Sequence, residues 1–124
     1  MDFQKYWDAV IGQDAQSMTT FFWEDAQIRW HNTNECFSVS EFIRANCEYP
    51  GQWHGEIEHI VNNGSLVITV THIYNHEETV SHHAVTFFTL KEGKIAGIDE
   101  YWGEDGLPPR WRQEMNIGST IRQG

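Results

Sequence analysis

A chain of 124 residues with a formal net charge of −10 suits one domain around one hydrophobic core. Its eight Lys and Arg are scattered, so no basic stripe exists to neutralise phosphates, which argues against a nucleic-acid partner and an anionic membrane surface. No apolar run approaches the ~18 residues that span a bilayer, the N-terminus lacks a signal-peptide pattern, and Cys36 and Cys47 have no zinc spacing. These features predict a cytoplasmic protein with two reduced thiols.

Phe3, Tyr6, Trp7, Val10 and Ile11 fall on one helical face. Asp14 is a good N-cap for a second short helix carrying Met18, Phe21 and Phe22. The stretch AQIRWHN alternates and predicts a half-buried strand. Ser38 and Glu41 form a capping box that opens a third helix with Val39, Phe42, Ile43 and Cys47 inward, ended by Tyr49-Pro50-Gly51.

The second half carries strand signal. Residues 53–62 alternate imperfectly, which predicts a bulged strand. Asn62-Asn63-Gly64 turns into SLVITVTHIY, NHEET turns again into VSHHAVTFFTL, and Lys91-Glu92-Gly93-Lys94 leads to IAGIDEYW. The predicted fold class is α+β: three N-terminal helical segments on a strongly curved antiparallel sheet, in the order α-α-β-α-β-β-β-β. One domain covers 1–124, with an ordered core from about 3 to 103 and a tail over 104–124 that includes Pro108-Pro109.

The start ending in FFWEDAQIRW, the helix SVSEFIRAN and the ending FFTLKEGKIAGIDEYWG resemble the cone-shaped fold of SnoaL-like and nuclear transport factor two-like proteins. That group includes ketosteroid isomerases, polyketide cyclases and scytalone dehydratases. The resemblance implies a pocket on the concave sheet face. It places His72 and Tyr74, His82 and Phe88, Glu100 and Trp102, and Trp30 and Asn32 on that face. It also sets Tyr6 where the isomerases keep an oxyanion-stabilising tyrosine. Trp30 falls where those enzymes carry their aspartate base, so steroid isomerase activity is not expected. The opposite strand phase, with His83, Asp99 and Tyr101 inward, stays open.

In the first phase Tyr74 lies opposite Val80 and His72 opposite His82. Glu100, His72 and His82 are then the candidate proton-transfer groups, with Tyr6 a hydrogen-bond donor to a substrate oxygen. A carboxylate among Trp30, Trp102 and Phe88 would be desolvated and its pKa raised. Asn32, Tyr74 and the three large aromatics would bind ligand. His72, His82 and Glu100 could also form a metal set, a weaker alternative. The expected partners are a small hydrophobic, carbonyl-bearing molecule and a second copy of the chain, docked through a convex face holding Val67, Thr69, Val85 and Phe87. Two functions follow: a cofactor-free lyase, isomerase or cyclase, or a binding or dimerisation module without chemistry.

Overall fold

The structure, a computed structural model, describes residues 1–122. Its elements are α1 (Phe3–Ile11), α2 (Ala15–Thr19), β1 (Phe22–Trp30), β2 (Glu35–Ser38), α3 (Val39–Glu48), β3 (Trp53–Asn63), β4 (Leu66–Asn75), β5 (Ser81–Lys91), β6 (Lys94–Glu104) and α4 (Arg110–Gln113). The predicted α+β order is present, with two short additions. β2 forms just before the capping box, and α4 is a single turn in the tail. None of the described helices is long and apolar enough to cross a membrane.

Local chemistry sets the element ends. Asp2 and Asp14 cap α1 and α2 by accepting from Lys5 N and Ser17 N. At α3 both halves of the capping box form: Glu41 N donates to Ser38 Oγ at 3.3 Å, and Ser38 N donates to Glu41 Oε1 at 2.9 Å. Between Lys91 and Lys94 the two turn residues Glu92 and Gly93 both have positive φ, 49° and 78°. That is the twist a two-residue hairpin requires. The irregular alternation of residues 53–62 does mark a bulge, between Ile57 and His59.

The six strands form one curved, open sheet in the order β2-β1-β6-β5-β4-β3. It is antiparallel except where β1 and β6 run parallel in the middle. The helices cover one side. There α1 sets Phe3, Tyr6, Trp7 and Val10 against Ile28, Val67, Phe88 and Ile98. The Phe88 ring meets Phe3 at 4.9 Å and Tyr6 at 5.1 Å, both edge-on.

The β4–β5 register differs from the expected one by a single residue. His72 pairs with His83 and Tyr74 with Ser81. The cause lies in the connecting loop. The Asn75 side-chain carbonyl accepts from both Thr79 N and Val80 N, so the loop keeps Val80 and the ladder begins at Ser81. A one-residue slip inverts every side chain of β4 relative to β5. Ala84, Thr86 and Phe88 face the helices as expected, but on β4 the inward residues are Val67, Thr69 and Thr71. Val67 and Thr69 therefore leave the expected dimer face, and Ile68 and Val70 replace them on the outer side.

Candidate ligand cavity

A cavity of about 380 Å³ lies between the helices and one end of the sheet. Trp7, Val10 and Ile11 of α1 and Phe42, Ala45 and Asn46 of α3 form its helical wall. Trp30 on β1, Trp53 on β3 and Trp102 on β6 supply three more indoles. Its size falls in the range of small-molecule sites.

The helical wall is fixed by polar cross-links. Gln13 sits between α1 and α2 with φ 55°, and its amide donates to the carbonyls of Asn46 and Tyr49 at 2.9 and 2.7 Å. Asn46 Nδ2 in turn donates to Val10 O at 2.9 Å. Trp7 is held from the other direction, donating its Nε1 to Thr69 Oγ1 at 3.2 Å in the core. Thr69, inward by the register slip, thus anchors one wall of the cavity.

Glu100 is the central acid. It lies between Trp30 and Thr86 in the sheet, because β6 pairs with β1 on one side and β5 on the other. It is only partly exposed and lines the cavity. The Thr86 hydroxyl donates to Oε2 at 2.6 Å. Desolvation by burial raises the carboxyl pKa to about 7, and the Thr86 hydrogen bond restrains the rise. Near neutrality the group is therefore present as both acid and carboxylate. The neighbouring Asp99 points to the other side of the sheet, where it pairs with Arg29 and His31. Of the two strand phases left open by the sequence, β6 takes the one with Glu100 and Trp102 inward.

His82 also lines the cavity, against Trp53 and Trp102. Burial lowers its pKa, although the charges of Asp105 and Glu104 act the other way. At neutral pH the imidazole is mainly uncharged and can both donate and accept.

Other expected site residues lie elsewhere. His72 is on the outer side of the sheet. It stacks on His83 with ring centroids 4.8 Å apart, and it contacts Ser81 at 2.8 Å and Glu56 at 3.3 Å. The expected His72–His82 pair therefore does not form, and His72, His82 and Glu100 do not converge on a metal. Tyr74 is beside His72 on the outer side, 4.9 Å away. Phe88 is completely buried in the core and does not reach the cavity. Asn32 clamps the Trp102 backbone from the exposed edge, accepting from its N–H at 2.9 Å and donating to its carbonyl. It braces the wall without lining it. Tyr6 is buried among Trp7, Phe21, Phe22 and Phe88. Burial and the nearby Glu100 charge both raise its pKa, so the phenol stays protonated.

A second titratable cluster occupies the outer side. Glu58, His72 and His83 can each offer one ligand atom, all within 4.8 Å of one another. Each of them already has polar partners. His83 bridges Asp105 at 2.5 Å and Glu58 at 3.1 Å, and Arg122 takes the other Glu58 oxygen at 2.9 Å. Burial opposes charge on His83, but Asp105 and Glu58 outweigh it and raise the pKa.

Several cavity residues were not among those expected. Glu104 continues the Ile98, Glu100, Trp102 alternation by one more step, and Trp53 begins the alternation through Gly55 and Ile57, so both had a readable signal. Glu35 had none, because it belongs to the unexpected β2.

The SnoaL-like domain family matches residues 3–98. The chain belongs to that family. Solved structures share its fold at low identity. A suggested ketosteroid isomerase from Kribbella flavida is 20% identical, with a TM-score of 0.80 over 98% of this chain and 88% of that one. An NTF2-like protein of unknown function from Burkholderia xenovorans is 18% identical, with a TM-score of 0.77 over 95% and 91%. A protein of ketosteroid isomerase-like fold from Catenulispora acidiphila, in complex with trimethylamine, is 13% identical, with a TM-score of 0.69 over 80% and 82%. No curated protein matches the chain.

Proposed function

We propose that the cavity binds a small hydrophobic, carbonyl-bearing molecule and that Glu100 moves a proton on it, as in a lyase, isomerase or cyclase. The observation that carries this reading is the Glu100 carboxyl, held by Thr86 in the largely apolar wall of a cavity of about 380 Å³, where desolvation raises its pKa to about 7. A base and its conjugate acid are then both available near pH 7, the condition for efficient general acid–base catalysis. His82, mainly neutral on the same wall, is the second proton carrier. His72 has no part in it, because it faces away. Tyr6 is packed behind the wall, which supports a positioning role beneath Glu100 better than contact with substrate.

The test is deuterium incorporation next to the carbonyl of small cyclic ketones in heavy water, read by proton NMR. Glu100→Gln should slow exchange by roughly 10²–10⁴-fold. Exchange no faster with the native protein than with the variant would remove catalysis and leave a binding module.

A homodimer through the outer sheet face is the second part of the proposal. Ile68, Val70, Val85 and Phe87 stand there only half buried, and Tyr101 is 45% exposed beside Phe87. A contiguous apolar strip of this kind favours a cover.

A further inference from the structure

The charge of the cavity wall goes beyond its shape. Three carboxylates line it: Glu35, Glu100 and Glu104. Among the described lining residues there is no Lys or Arg. None of the three acids is in an ion pair with any described residue. Of the two Glu100 oxygens, only Oε2 has a donor among the described residues, the Thr86 hydroxyl. A partly desolvated carboxylate without a counter-charge is costly, so a positive occupant of the cavity would stabilise its ionised form.

The rest of the wall suits the same occupant. Four of the six tryptophans, Trp7, Trp30, Trp53 and Trp102, line the cavity, together with Tyr49 and Phe42. Indole faces attract cations through the ring quadrupole, most strongly when water is excluded. An anionic ligand would be repelled by these acids. A neutral one would gain apolar contact and hydrogen bonds but no charge attraction.

We propose that the cavity takes a small organic cation, a protonated or quaternary amine with its alkyl groups against the indoles and its charge towards Glu100. The inference rests on the reading of this cavity as a ligand site and narrows its carbonyl-bearing molecule to one that also carries an amine cation. Such an occupant also has a pH signature. A cation draws Glu100 into its carboxylate form, so affinity falls on acidification. The groups facing Glu100 do not cancel this. Tyr6 stays neutral, Glu35 and Glu104 are acids, and only His82 can gain charge, which would weaken cation binding in the same direction.

The experiment compares choline with dimethylbutanol, its neutral carbon isostere, on the intact chain. Binding is followed by tryptophan fluorescence and by calorimetry. At about pH 8, where Glu100 is ionised, choline should bind at least about tenfold more tightly, the size of a desolvated cation–π and charge contribution. The preference should shrink towards unity at about pH 5.5. It should shrink likewise in Glu100→Gln. Equal or tighter binding of the neutral isostere at about pH 8 overturns the cation while leaving the cavity as a ligand site. Failure of both probes to bind at tens of millimolar (about three kcal/mol or less of binding free energy) overturns the cation and the ligand site together.

Discussion

The Thr86 hydroxyl donates a 2.6 Å hydrogen bond to Glu100 Oε2, between two residues that face each other in the β5–β6 ladder. Thr86 is fully buried, so this donor is fixed by the sheet itself. It partly offsets the desolvation that raises Glu100 to a pKa of about 7. Thr86→Val keeps the shape and removes the donor. The Glu100 carboxyl should then titrate higher still, as read by carbon NMR of the labelled side chain.

Glu100 also makes stability depend on pH. Its folded pKa of about 7 lies above the ordinary 4.5, so between these values the folded chain holds more protons than the unfolded one. The contribution of Glu100 to stability therefore falls as pH rises through that window. Glu100→Gln should gain on the native protein by up to about 3 kcal/mol between about pH 4.5 and pH 7. Urea unfolding at a series of pH values measures it. A difference that stays constant with pH would mean that the carboxyl is not desolvated.

His82 and His83 are neighbours in sequence on opposite sides of the sheet, and they should titrate in opposite directions. His82, desolvated in the cavity wall, should protonate below the ordinary 6.5 and weaken the fold as pH falls below that value. His83, held by Asp105 and Glu58 against its own burial, should protonate above 6.5. Its contribution is full below that value and is lost as pH rises through the folded pKa. Imidazole proton shifts followed by NMR separate the two, and a common midpoint would contradict the geometry.

Core and cavity wall should respond differently to truncation. Phe88→Ala removes a fully buried ring from between Phe3 and Tyr6 and should cost about 3–5 kcal/mol in urea unfolding. Trp102→Ala removes a half-exposed indole from the cavity wall. It should cost clearly less stability but weaken ligand binding, as read from the fluorescence of the remaining cavity tryptophans.

The outer face gives a test of association. Phe87→Glu places a charge in the proposed dimer contact without touching the cavity side. Sedimentation velocity should show dimers of the native chain at micromolar concentration and monomers of the variant. A native monomer would remove the dimer.

Much of this architecture is legible in the sequence, because its local signals are strong. The face of α1, the Asp14 cap, the Ser38–Glu41 box and the Glu92-Gly93 turn each have one good solution. The phase of β6 is not legible: residues 98–102 allow either Glu100 and Trp102 or Asp99 and Tyr101 inward, and the structure turns the first pair to the cavity. The phase of β4 is hidden, because its outward residues Ile68 and Val70 are more apolar than the buried Thr69 and Thr71. Hydrophobicity alone therefore points to the wrong side. The deciding contacts are the Asn75 side chain in the loop and the Trp7–Thr69 hydrogen bond, which joins residues 62 positions apart. With β4 inverted, His72 and Tyr74 leave the site and Ile73 enters it.

The parallel β1–β6 pair has a consequence for how the chain assembles. β6 follows every other strand in sequence, yet it lies in the middle of the sheet. Before it arrives, β1 and β2 share no ladder with β3, β4 and β5. Two separate pieces of sheet must wait for one strand to join them, a non-local step of the kind that slows folding. That strand also brings Glu100, Trp102 and Glu104. The partly made chain therefore exposes Trp30 and Trp53 without Glu100 beside them, and the central acid of the cavity arrives in the same event that closes the fold.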